Sequence, residues 1–268
     1  AALALHCFTN EYVFLESLEE TTEIEQLENK INSLLAKNKP VPSLWVALLG
    51  SYRPLHTFSW SDQLSQFNWT DSIQKILTQQ IDEVREEQRL RPEIKALSTI
   101  NNDISQAVRE QYEENPYPRW INPSLSAKPK TIRTVLQELK IDPAGQHFPS
   151  HPEILIAGCG TGQHSLGTAS RFSNSSVLAV DLSLSSLSYA IRKTQELGIS
   201  NIDYMHADIL ELHKLDRQFD LIESAGVLHH MAEPLAGWKV LVDLLRPRGL
   251  MKIGLYSEIA RQHIVETR

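Results

Sequence analysis

Two cysteines, Cys7 and Cys159, are all that the chain has. That excludes a disulfide framework and fits a reducing compartment. Long apolar runs are also absent: none approaches the roughly 20 residues of a membrane-spanning helix. Basic excess is lacking, with 26 Lys and Arg against 33 Asp and Glu and a net charge of −7. No basic stripe exists to track a phosphate backbone, so nucleic acid is not an expected partner. The imbalance is local. Residues 1–125 carry 11 basic and 18 acidic side chains, whereas residues 126–268 carry 15 of each. A solvated helical surface accounts for the acidic half. No internal repeat of roughly 20–50 residues is visible. What remains is a 268-residue, 41% apolar chain, enough for one or two domains. Its expected location is cytoplasmic.

The apolar period divides the chain. Ile24, Leu27, Ile31, Leu34 and Leu35 recur at helical spacing, as do Ile73, Ile76, Leu77, Ile81 and Val84, with Asp71 as N-cap. A third helix is expected over "DISQAVREQYEE", stopped by the two prolines of "NPYPRW". The segment "NPSLSAKPK" reads as a linker, which places the domain boundary at 125/126. Beyond it, "TIRTVLQELK" is a helix with Ile132, Val135, Leu136 and Leu139 on one face. Strands then alternate with helices: "EILIA", "SVLAV", "IDYMHA", "FDLIES" and "GLMKIGLYS" are the strands, and Ser257 caps a final helix. Val- and Ile-rich strands alternating with helices imply a parallel sheet covered on both faces. The expected fold is α/β and Rossmann-like, following an all-helical N-terminal domain.

Gly158, Gly160 and Gly162 close the first strand of that sheet, in "ILIAGCGTGQHS". Glycine accepts positive φ and lets a ligand approach the backbone, and the next helix N-terminus suits an anionic group. A dinucleotide fingerprint, G-x-G-x-x-G, would need its third glycine at 163, where Gln163 stands.

"ILIAGCGTG", "VLAVDLS", "MHADILEL" and "FDLIESAGVLHH", in this order and spacing, resemble class I S-adenosylmethionine (SAM) methyltransferases over about residues 130–261. The resemblance implies SAM as cofactor and S-adenosylhomocysteine (SAH) as product. It places Gly158, Cys159, Gly160, Thr161 and Gly162 against the cofactor, with polar contacts from Gln163 and His164. Asp181, beside Leu182, would take the ribose hydroxyls, a fit for an acceptor-only carboxylate. Asp208 would take the adenine amino group, with Ile209 beside the ring. Asp181 as a helix cap and Asp208 as a turn residue are the plainer alternatives. One departure stands out. The family's first-strand acid, two residues before the first glycine, is here Ile156. The chain begins without Met and ends in a helix-like segment, so truncation, with the family's later strands missing, is expected.

"VREQYEENPYPRW", "AGCGTGQHS" and "ESAGVLHHMAEPLAGWKVLVDLLRP" narrow the resemblance to a bacterial, tetratricopeptide-associated methyltransferase subgroup over about residues 90–265. That subgroup includes lysine methyltransferases acting on an outer-membrane protein. No tetratricopeptide repeat occurs here. The resemblance implies a protein substrate, lysine first. A small-molecule methyltransferase and a SAM-binding interaction protein without turnover are the alternatives, and a homodimer is conceivable. Methyl transfer chiefly requires alignment, and an amine acceptor (pKa about 10.4) must first lose its proton. Glu223, His229 and Tyr256, at neighbouring strand ends or loops, are the expected catalytic groups, with Glu223 orienting the amine. Adjacent His229 and His230 lack metal-ligand spacing, so no metal is assigned. Tyr117 and Arg119 form either a lid over SAM, with Arg119 on the methionyl carboxylate, or a packed linker around Trp120.

Overall fold

The computed structural model describes residues 1–98, 113, 116, 118–143, 145–257 and 259–260. The helix expected over 103–114 falls outside these, Glu113 excepted, as does most of the final helix. Ser257 does act as a cap, its Oγ accepting the Ala260 N–H at 3.2 Å.

The chain forms two compact units, Ala1–Arg89 and Leu90–Arg268. The boundary expected at 125/126 therefore lies inside the second. The physical reason is backbone pairing: His206 N–H donates to Lys95 O at 2.8 Å and Leu97 N–H to His206 O at 3.0 Å. Farther on, Lys130 N–H donates to Arg171 O at 2.7 Å.

The first unit is helical: α1 (Ala2–Thr9), α2 (Leu18–Leu35), α3 (Ser43–Tyr52), α4 (Asp71–Leu77) and α5 (Glu83–Leu90). Ser17 and Glu20 form a capping box at α2, whose Ile24, Leu27, Ile31 and Leu35 are buried. Asp71 is the first residue of α4 rather than its cap; Thr70 precedes it. The helix expected to run unbroken from 71 to 84 is interrupted by a π-helical turn, Thr78–Asp82. Its fully buried Gln80 donates to Ala4 O and Gly50 O and accepts from Leu55 N–H, at 3.0, 2.8 and 3.2 Å. The wider turn aims this amide inward, where three backbone groups require partners.

The second unit is built on five parallel strands: β1 (Glu153–Ala157), β2 (Ser176–Asp181), β3 (Ile202–His206), β4 (Phe219–Ala225) and β5 (Leu245–Gly254), in the order β3-β2-β1-β4-β5. Its helices are α6 (Ile132–Glu138), α7 (Gln163–Arg171), α8 (Leu184–Glu196) and α9 (Pro234–Asp243). Strand alternation sends Ile154, Ile156, Val177 and Ala179 to one core layer, with Ile132, Phe172 and Leu187. Leu155, Ala157, Leu178 and Val180 go to the other, with Leu228 and Leu241. Both faces are thus covered, as the apolar strands require. Leu139 leaves the expected α6 stripe: it ends the helix and is exposed. β5 starts four residues before Gly249, because Leu245 already pairs with Phe219. Among the described residues, no helix is long and apolar enough to cross a membrane.

Candidate active site

Strand order reverses between β1 and β4, and ligands of such sheets bind beyond the carboxyl strand ends at that point. A cavity of about 670 Å³ lies there, a usual size for a small-molecule site. The glycine turn forms its floor. Gly158 and Cys159 N–H both donate to Val180 O, at 2.9 and 3.0 Å. Gly160 has φ +52°, and a Cβ there would meet no atom within 4 Å. Its bare side is open to the cavity. Gly162 does a different job from the one expected. It is absent from the lining, and a Cβ on it would come within 2.6 Å of Ala190 on α8. Gly162 permits helix packing.

Asp181, at the end of β2, accepts Gly160 N–H at 2.7 Å and Ser183 N–H at 3.0 Å. It ties the first turn to the second while lining the cavity with Leu182. Burial raises its pKa, against the lowering effect of the backbone donors. Asp208 is buried, accepts Leu210 N–H at 2.9 Å and lines the cavity beside Ile209. Asp208 thus makes the turn bond that the plainer alternative foresaw, whereas Ser183, not Asp181, caps the helix after β2; both carboxylates face the cavity. Thr161, Gln163 and His164 line it as well.

The segment after "NPYP" is a wall. Pro118 lines the cavity; Trp120 is buried and donates its indole N–H to Thr161 O at 3.0 Å. Thr161 Oγ1 in return donates to Pro118 O at 2.8 Å. Tyr189 O–H donates to Trp120 O. Arg119 is not in the lining: its guanidinium lies 5.5 Å from the Tyr189 ring centroid, on α8. Of the two alternatives, this placement fits the packed linker. Tyr117 lies outside the described residues.

Of the expected catalytic trio, Glu223 stands apart while His229 and Tyr256 are in contact. Glu223 is 3% exposed, in mid-strand, and does not line the cavity. Burial alone would raise its pKa, but His164, Thr168 and Lys252 bring it down to about 2. His229 is displaced from the lining by its neighbour. His230 faces the cavity, while the His229 ring stacks at 3.9 Å on Tyr256. Tyr256 does line the cavity. The sequence reading also missed Pro118, Ser183, Val227, Met231 and Glu233. Position signalled Ser183 and Val227, two residues beyond strand ends, and Pro118 in the proline segment; Met231 and Glu233, past the short helix Leu228–His230, carried no such signal. No group of three or more His, Cys, Asp or Glu among the described residues is placed to hold a metal.

This sheet order, with a glycine turn and two strand-end carboxylates around a cavity at the switch point, defines the Rossmann-like class I methyltransferase fold. Residues 154–249 match the family model described as "Methyltransferase domain". That stretch resembles a methyltransferase domain, and the open face at Gly160, the two acceptor carboxylates and apolar Ile209 fit SAM. An uncharacterized protein of Synechococcus sp. is 34% identical over 114 residues, covering 42% of this chain and 27% of its own. A probable (S)-tetrahydroprotoberberine N-methyltransferase of Papaver bracteatum is 31% identical over 78 residues, covering 29% of this chain and 22% of its own. The chain thus spans about a quarter of the length of these curated relatives. PKMT2 from Rickettsia typhi, solved with AdoHcy, is 26% identical over 43% of this chain and 24% of that one, at a TM-score of 0.39.

Proposed function

We propose that this protein moves the methyl group of SAM to a nitrogen acceptor, a protein lysine side chain first. The observation that carries the reading is the cavity mouth. Glu233 and Tyr256 both line it and are both exposed, so a carboxylate and an aromatic face meet whatever enters. Both attract a cationic amine. Gly226 and Ala232, also exposed, leave the approach open to a bulky acceptor.

SAM, when bound, supplies an electrophilic methyl on a sulfonium. The chain's residues align and deprotonate. Gly160, Asp181 and Asp208 would hold the cofactor. Glu233 and Tyr256 gather the ammonium, and His230, with its imidazole on the lining, can accept the proton. The freed amine would be the nucleophile for the methyl that SAM supplies, with SAH as the product. Glu223 is too deeply buried to orient the amine as first expected.

A small-molecule acceptor is the second reading. It is favoured by a cavity able to enclose one and by a relative whose name denotes alkaloid N-methylation. Methyl-labelled SAM separates the readings: label in acid-precipitable protein supports the first, and label in solvent-extractable product supports the second. SAH binding without label transfer would leave a SAM-binding interaction protein.

A further inference from the structure

Parallel strands in register present paired residues on one face. Ile156 of β1 pairs with Glu223 of β4, and Glu223 with Lys252 of β5. The carboxylate missing at 156 is therefore present one strand away, on the same face. Ile156 is wholly buried and apolar and can hold no polar group.

Burying a carboxylate is costly unless it is fully partnered, and even then an apolar residue often serves stability as well. Glu223 is partnered. Thr168 Oγ1 donates to it at 2.6 Å, His164 Nε2 lies at 2.9 Å and Lys252 Nζ at 3.6 Å. Thr168 and His164 are one turn apart on α7, so the helix leans on Glu223 where it leaves the glycine turn. His164 is the member that reaches the ligand, for it lines the cavity. Facing an ionised carboxylate, Nε2 keeps its hydrogen. Nε2 is buried and meets Glu223 as a close ion-pair contact without hydrogen-bond alignment, while Nδ1 makes no polar contact with a described residue. In the neutral ring that nitrogen is a lone-pair acceptor.

The amino-acid end of SAM is a zwitterion. The α7 N-terminus, with its unpaired N–H groups, suits the carboxylate. The ammonium needs an acceptor, which Ile156 cannot supply.

We propose that Glu223 and His164 together replace the absent first-strand acid: Glu223 fixes the His164 ring, and His164 Nδ1 receives the ammonium of the methionyl end. Glu223 is a positioning residue, and His164 the group that touches cofactor. The inference rests on the cofactor reading above. It explains why a strand-buried carboxylate sits at the register of the missing one.

The test is calorimetric titration at pH 8 with four ligands: SAH, its decarboxylated analogue, its deaminated analogue and 5′-methylthioadenosine. Wild-type protein that binds none of them overturns the cofactor reading and this inference with it. With wild-type binding in hand, His164→Ala and Glu223→Gln should each weaken SAH and the decarboxylated analogue by about tenfold. The deaminated analogue and 5′-methylthioadenosine, which lack the ammonium, should change less than about twofold. The double variant should be no weaker than His164→Ala, because one residue acts through the other. His164→Asn, which keeps an acceptor, should recover part of the loss. Uniform loss across the four ligands, loss that follows the carboxylate instead, no loss, or additive losses would each overturn the proposal. Should Glu223→Gln fail to fold, the partly exposed His164 variants still decide it by the same ligand pattern.

Discussion

Gly160 and Asp181 form the hinge of the site. A valine at Gly160 would have to adopt φ +52°, a region β-branched residues avoid, and would fill the open side of the turn. Gly160→Val is expected to abolish SAH binding in titration while circular dichroism stays near native; retained affinity would assign the glycine to the turn alone. Asp181→Ala removes the anchor of Gly160 N–H and, on the proposed reading, an acceptor for the cofactor. It should weaken SAH by roughly 1.5–3 kcal/mol, the range for a charge-assisted hydrogen bond. Glu223 sets a pH dependence. Its pKa falls from 4.5 to about 2 on folding, so its ionised form stabilises the native state above about pH 4.5. That contribution, on the order of 3 kcal/mol, is lost as pH falls toward 2. Urea unfolding between pH 5 and pH 2.5 should show a steeper loss for wild type than for Glu223→Gln. Asp181 works in the opposite sense: burial raises its pKa, so its ionisation costs stability as pH rises through that raised value.

Among elements, the strap 118–120 is the one that joins structure to site. Trp120 meets Tyr189 edge-on at 5.7 Å, and Lys193 Nζ sits 5.4 Å from its centroid. Trp120→Ala should cost about 3–5 kcal/mol by vacating this pocket. Trp120→Phe should retain most stability yet loosen Thr161, seen as weaker SAH binding at a nearly unchanged melting temperature. An affinity equal to wild type would show that the strap does not shape the turn. The π-helical turn in the first unit has a comparable dependence. Gln80→Leu removes a donor from Ala4 O and from Gly50 O, which keeps the Tyr12 hydroxyl, and strips Leu55 N–H of its side-chain acceptor, and should destabilise by roughly 1–3 kcal/mol in denaturant titration. Apolar spacing predicted both flanking helices but not the turn. Ile73, Ile76, Leu77, Ile81 and Val84 are all buried across the turn, so apolar spacing gives no sign of it, and only the buried amide betrays it.

For the whole molecule, the cavity lies within the second unit, between Pro118 and Tyr256. SAH at a hundredfold its Kd should raise that unit's unfolding free energy by about 2.7 kcal/mol. Amide exchange in β1 and β4 should slow accordingly; unchanged rates with saturating SAH would count against the cofactor reading.

The residue pattern by itself determined the five strands, the alternation of helices and the sites of the glycine turn, Asp181 and Asp208. Each depends on local periods or on spacing within one strand–turn–helix unit, which neighbouring residues dictate. Tertiary structure decided the rest. Whether His229 or His230 faces the ligand depends on a single helical turn and on where Tyr256 arrives from beyond β5. Arg119 turned to Tyr189 because Trp120 and Thr161 hold the strap between them. The first unit ended at Arg89 because residues 95–97 pair with β3, a contact more than a hundred residues distant in sequence. Glu223 was expected to orient the amine from the end of the fourth strand and proved to be buried within it. Strand alternation fixes which residues share a face. Only the register against β1 and the arrival of α7 determine that this face is closed, and that a carboxylate on it stands where Ile156 offers none.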